Sequence, residues 1–123
     1  MPNESKIIHV EDINHYLRLI AKEQRVVVLD FSATWCGPCK KLLPTLEKWS
    51  VDHESEVLIL KFDADHDKDL AEDLQVFPLF EVESLPTIIF VKNQEMVKGN
   101  EYRIEGMDIK RFESCLKKLM KEL

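Results

Sequence analysis

Residues 25–40 read Arg25-Val26-Val27-Val28-Leu29-Asp30-Phe31-Ser32-Ala33-Thr34-Trp35-Cys36-Gly37-Pro38-Cys39-Lys40. Two patterns meet in this segment. Residues 25–32 carry the unbroken apolar run Val26-Val27-Val28-Leu29, which marks a strand covered on both faces. From Cys36 onward the apolar positions take helical spacing, at Leu42, Leu46 and Trp49, which predicts a helix over residues 36–51. Gly37 allows a tight turn, and Pro38 suits the first helical turn. Pro44 falls inside the helix and should kink it.

The same alternation continues in both directions. Residues 6–10 form a short candidate strand. Residues 11–22 predict a helix with Ile13, Leu17 and Ile20 on one face; Glu11 and Asp12 lie in its first turn, where the helix dipole favours acids. Residues 57–64 repeat the buried-strand pattern through Val57-Leu58-Ile59-Leu60 and Phe62. A short helix is expected over 68–74 and a β-branched strand over 87–91. Residues 96–104 alternate and are polar, the mark of an edge strand paired to it as a hairpin. Residues 108–123 close the chain as an amphipathic helix, with Ile109, Phe112, Leu116, Leu119 and Leu123 on its apolar face and Asp108 as its N-cap. Strand and helix in alternation predict an α/β fold with a mixed sheet. The length of 123 residues suits one domain, residues 1–123.

Charge narrows the function. The chain has 17 Lys+Arg against 23 Asp+Glu, a net −6. A nucleic-acid binder carries a basic face, and adsorption to anionic lipid needs one too, so both are excluded as expectations. No apolar run approaches the roughly 18–20 residues of a membrane helix. The first residues, Met1-Pro2-Asn3-Glu4-Ser5-Lys6, lack the basic and then apolar regions of a secretory signal. A reducing compartment, the cytoplasm, is therefore expected, and the formal glycosylation acceptor at Asn3 has no role there.

The cysteines carry the chemistry. Cys36 and Cys39 stand where a buried strand gives way to a helix. A helix N-terminus offers free N–H groups and the positive end of the dipole, both of which stabilise a thiolate and depress the thiol pKa. Cys36 is expected there with its sulfur partly exposed. Cys39, one turn on, is placed to attack a mixed disulfide formed at Cys36. Zinc would need about four ligands. There is no second cysteine pair, and His9, His15, His53 and His66 are scattered, so no metal is expected. Asp63, Asp65, Asp67 and Asp69 alternate like calcium ligands. Lys68 and Leu74, however, occupy the loop-glycine and closing-glutamate positions, and a solvated acidic turn is the expected reading. Cys115, in the last helix, reads as a buried inert thiol.

Residues 30–40 resemble the active-site segment of eukaryotic-type thioredoxins. The resemblance extends to Pro44, to Lys61-Phe62-Asp63 on the central strand, to Leu85-Pro86-Thr87, and to Gly106 before the last helix. It implies the thioredoxin fold, a central mixed sheet with helices on both faces. It also implies roles. Cys36 would be the nucleophile and Cys39 the resolving thiol. Asp30 would be a buried carboxylate with a raised pKa that moves a proton at Cys39, and Lys61 would tune it. Pro86 would be cis, as about 5% of X–Pro bonds are in folded proteins. Leu85 would offer its backbone to a substrate strand. Trp35, Gly37, Pro38, Thr87 and Gly106 would complete the substrate rim.

Two departures stand out. Several extra residues lie between the helix and Pro86, within residues 75–83, and include Val76, Phe77, Pro78, Leu79 and Phe80. They read either as a segment packed back onto the core or as an apolar lip that selects partners. Gln94 stands where the family commonly has a turn glycine, and Gly106 falls a few residues later than the pattern expects, so a bulge or longer edge is anticipated.

The expected function is reduction of protein disulfides through a reversible Cys36–Cys39 dithiol, without metal or organic cofactor, by a monomer. The implied partners are disulfide-containing targets and thioredoxin reductase. Two alternatives stay open: a reductant dedicated to few partners, and a redox-inert binding subunit on the same fold.

Overall fold

Val26–Ser32 is a strand in the computed structural model, which describes residues 5–122, and all seven of its residues are buried. In chain order the elements are β1 (Ile8–His9), α1 (Ile13–Ile20), β2 (Val26–Ser32), α2 (Gly37–Asp52), β3 (Val57–Asp63), α3 (Ala64–Asp67), α4 (Val76–Leu79), β4 (Thr87–Lys92), β5 (Glu95–Met96), β6 (Arg103–Glu105) and α5 (Ile109–Met120). Short 3-10 turns occupy Glu72–Leu74 and Asn100–Tyr102. The sheet order is β1-β3-β2-β4-β5, with β6 also paired to β4. Strands β1, β3 and β2 run parallel; β4 is antiparallel to β2, and β5 and β6 are antiparallel to β4. This is the thioredoxin fold expected above.

Alternation along the strands sorts the core into two layers. Val26, Val28, Val57, Ile59, Ile88 and Phe90 meet Leu42, Leu46 and Trp49 of α2 and Phe112, Leu116 and Leu119 of α5. The intervening residues Val27, Leu29, Phe31, Leu58, Leu60 and Phe62 face Tyr16 and Ile20 of α1 and Val76 and Phe77 of α4. Both faces of the central strands are covered, which is why they read as continuous apolar runs. Helix α2 continues through Pro44.

Two expectations shift. In place of the helix expected over 68–74 there is an α-helical turn at Ala64–Asp67, started at the strand end by the Asp63 side chain, which accepts the Asp65 N–H at 2.8 Å, and a 3-10 turn at Glu72–Leu74. The edge strand expected over 96–104 is broken into β5 and β6 by Gly99, at φ +116°, and the 3-10 turn after it. The turn before β5 runs through Asn93 and Gln94, both at positive φ (52° and 66°). Gln94 compensates for the missing glycine: its amide donates to the carbonyls of Ile20 and Glu23 at 3.0 and 2.8 Å.

Asp108 caps α5 as expected, accepting the Arg111 N–H at 3.1 Å. Asp108→Ala is expected to cost about 1 kcal/mol of stability, read from denaturant unfolding.

Candidate active site

Strand β2 delivers the site. Its last residues and Ala33 are buried, Thr34 and Trp35 emerge into solvent, and Cys36 becomes the N-cap of α2. The Cys36 sulfur accepts the Cys39 N–H at 3.2 Å, so a free helix N–H points at the sulfur of the first cysteine. Cys36 and Cys39 form a disulfide with Cα atoms 5.3 Å apart. The pair is more enclosed than expected: Cys36 is 6% exposed and Cys39 7%, because Ala33, Ala64 and Leu85 pack around them. At Gly37 a Cβ would meet no atom within 4 Å, and its φ is not left-handed. That glycine leaves open surface beside the sulfurs rather than enabling a turn.

Asp30 and Ser32 lie on the same side of β2 as Val26 and Val28 and therefore face the layer of α2, the helix that Cys36 caps. Asp30 is 3% exposed, and its Oδ1 has no hydrogen-bond partner among the described residues; nor has the buried Ser32 Oγ. Burial pushes the Asp30 carboxyl up to about 7, with Lys61 pulling the other way. Lys61 stands opposite Asp30 in the β2–β3 register. It also lines a surface pocket with His9, Asp63 and His66 and is half-buried, whereas Asp30 is buried. A proton on Asp30 is therefore near balance at neutral pH, which suits acid–base work.

The residues expected at the substrate rim come from separate loops. The Leu85–Pro86 peptide is cis. The Pro86 carbonyl accepts the Gly106 N–H at 2.8 Å, and Gly106 sits at φ +93°, a conformation that favours glycine. Thr87 is fully buried and donates to the Ser84 carbonyl at 2.7 Å, so its side chain shapes the turn and does not face outward. Pro38 is exposed beside the disulfide, and Trp35 is 68% exposed.

Asp65 and Asp67 escaped the sequence reading, which took residues 63–69 for a solvated acidic turn. The Asp65 carboxylate accepts the Trp35 indole N–H at 3.0 Å and the Thr34 hydroxyl at 3.1 Å. Asp67 is 6% exposed and accepts two backbone N–H groups, from Val76 at 2.7 Å and Phe77 at 3.1 Å. One signal was available: β3 is parallel and adjacent to β2, so acids just past its end lie beside the Trp35 loop, where an exposed indole N–H wants an acceptor.

The inserted segment packs inward. Phe77 meets Phe31 edge-on at 5.1 Å between ring centroids, and Phe80 meets Tyr16 edge-on at 5.4 Å, while Leu79 stays 57% exposed. Cys115 is buried as expected; its thiol donates to the Glu101 carbonyl at 3.1 Å, and burial pushes its pKa up. Asn3 lies outside the described residues.

A disulfide at a helix N-terminus, on this fold, defines a thiol–disulfide oxidoreductase. The family model for thioredoxin matches residues 6–118. Thioredoxin-1 of Drosophila melanogaster is 30% identical over 108 residues, covering 88% of this chain and 92% of that protein. The mitochondrial thioredoxin of Mus musculus is 32% identical, over 98% of this chain and 73% of its own length. The crystal structure of thioredoxin NaTrxh from Nicotiana alata aligns with a TM-score of 0.78 at 26% identity, covering 96% of both chains. The chain belongs to the thioredoxin family. Its general chemistry, exchange with disulfide-bearing targets, follows from that membership. Among the described residues no helix is long and apolar enough to cross a membrane.

Proposed function

We propose that the protein works in the reducing direction, as a protein-disulfide reductase. The observation that carries this reading is the Cys36 sulfur at the α2 N-terminus, accepting a helix N–H beside Cys39. In the reduced protein the same N–H stabilises a Cys36 thiolate. That thiolate attacks one sulfur of the target disulfide. A Cys36–target disulfide forms, and the other target sulfur leaves as a thiolate that takes a proton from solvent. Asp30, as carboxylate, accepts the Cys39 thiol proton, and the Cys39 thiolate attacks the Cys36 sulfur. The second target sulfur leaves and is protonated. Two electrons pass to the target, and the Cys36–Cys39 disulfide remains.

Lys61 biases Asp30 toward its charged form. Trp35, Gly37, Pro38, Leu85, Pro86 and Gly106 form the surface on which the target lies, with Thr87 holding the turn. Among the described residues no hydrogen bond takes up the Leu85 backbone N–H or carbonyl, which supports pairing there with an extended target segment. The oxidised form is returned to the dithiol by a thioredoxin reductase. The protein acts as a monomeric single domain in the cytosol; fractionation tests that placement against the organelle named for the mouse relative.

The inserted helix favours a second reading, a narrow set of targets, because it leaves Leu79 exposed as an apolar contact for a partner. The test is insulin reduction with dithiothreitol as electron source. Acceleration over dithiothreitol alone supports a reductase, and none overturns it.

A further inference from the structure

We propose that Asp67 is a positioning residue for Trp35, joining the inserted helix α4 to the active-site rim through α3. The inference rests on the reductase reading above. Helix α3 has four residues, too few to hold its own place by helical hydrogen bonding. Its side chains fix it instead, and they point to different parts of the molecule. Asp65 holds Trp35 and Thr34. His66 Nε2 meets the Glu11 carbonyl at 2.8 Å, tying α3 to the start of α1. Asp67 reaches the two amides that open α4.

The Asp67 contacts are not optional. A carboxylate this buried is costly unless its oxygens are hydrogen-bonded, and here each oxygen has one backbone N–H. Helix α4 is in turn anchored independently of α3. Phe77 packs on Phe31 of β2, four residues before Trp35. The Arg103 guanidinium, from β6, donates to the carbonyls of Phe80 at 3.2 Å and Glu81 at 2.7 Å. The path from the sheet through α4, Asp67, α3 and Asp65 to Trp35 is therefore continuous in packing and hydrogen bonds. Trp35 needs such support: it is largely in solvent, and among the described residues its hydrogen bond goes to Asp65.

A consequence for substrate choice follows. A small disulfide needs only the sulfurs. A disulfide within a protein must also lie across the rim, so a displaced Trp35 slows protein targets selectively, as small misplacements of positioning groups do.

The test compares oxidation of the pre-reduced protein by insulin and by 2-hydroxyethyl disulfide. Wild type, Asp67→Asn, Asp65→Asn and the double variant are measured in a Trp49→Phe background, so that fluorescence reports Trp35. Asp67→Asn is expected to slow the insulin reaction about fivefold, keep the small-disulfide reaction within about twofold, and shift Trp35 emission. Adding it to Asp65→Asn should cost less than about a further twofold, because both act on one group. Equal slowing of both disulfides, or losses that multiply in the double variant, overturn the proposal. If Asp67→Asn does not fold, Arg103→Gln loosens the other end of the insertion. A changed insulin-to-small-disulfide ratio there supports the coupling, and an unchanged ratio overturns it. Wild type inert to both disulfides refutes the reductase reading itself; wild type active on both with variants unchanged refutes only the role of Asp67.

Discussion

Cys36→Ser is expected to lower insulin reduction at least about a thousandfold, to the uncatalysed background, because the attacking sulfur is lost outright. Cys39→Ser is expected to fail differently. Its Cys36 thiolate still attacks, but nothing resolves the adduct, so the Cys36–target disulfide accumulates and is seen as a covalent species on non-reducing gels. The asymmetry follows from geometry. Cys36 caps α2 and receives the Cys39 N–H, whereas Cys39 is part of the helix itself. Equal trapping by both variants would contradict the assignment of roles. Loss of insulin reduction with cellular function intact in the double-cysteine variant would leave a binding subunit as the remaining reading.

Asp30→Asn is expected to change the pH dependence of stability more than any other single substitution here. The carboxyl is raised to about 7 in the folded protein, from an ordinary value of 3.8, mainly by burial. The folded state therefore holds the proton over a range in which the unfolded chain has released it. Stability from this group is fully present below the unfolded value and is lost as pH rises through the folded one. At 1.36 kcal/mol per unit, wild type should lose up to about 4 kcal/mol between pH 4 and pH 8 from Asp30 alone. The amide does not ionise, so the loss disappears. Urea unfolding of the oxidised forms should show the variant overtaking wild type as pH rises, and parallel curves for the two proteins would contradict this. The gain in stability should come with a slower resolving step, at least about tenfold at neutral pH, since no carboxylate takes the Cys39 proton.

The central strands were legible because both of their faces are covered, which leaves a plain apolar run in Val26–Leu29 and Val57–Leu60. Helix α5 was legible through its apolar face and the Asp108 cap. Asp30 was legible through the family resemblance, as a carboxylate at the end of an apolar strand run. Asp65 and Asp67 were not, because their partners lie across loops: an indole N–H some thirty residues away in sequence and the amides of an inserted helix. Local acidic alternation looks the same whether the carboxylates meet water or hold two pieces of chain together. The inserted segment could be read as core or lip; Val76 and Phe77 pack inside, while Leu79 is exposed. The broken edge strand escaped because pattern alone does not show that Gly99 leaves the strand conformation.

Direction of electron flow is the central claim, and the midpoint potential of Cys36–Cys39 measures it. The protein would be equilibrated in graded thiol/disulfide buffers, with Trp35 fluorescence as the signal. A reductase is expected near −270 mV, the general reference value for thioredoxins. A value near −180 mV, that of a disulfide isomerase, would contradict the reducing direction and mean that the protein donates disulfides.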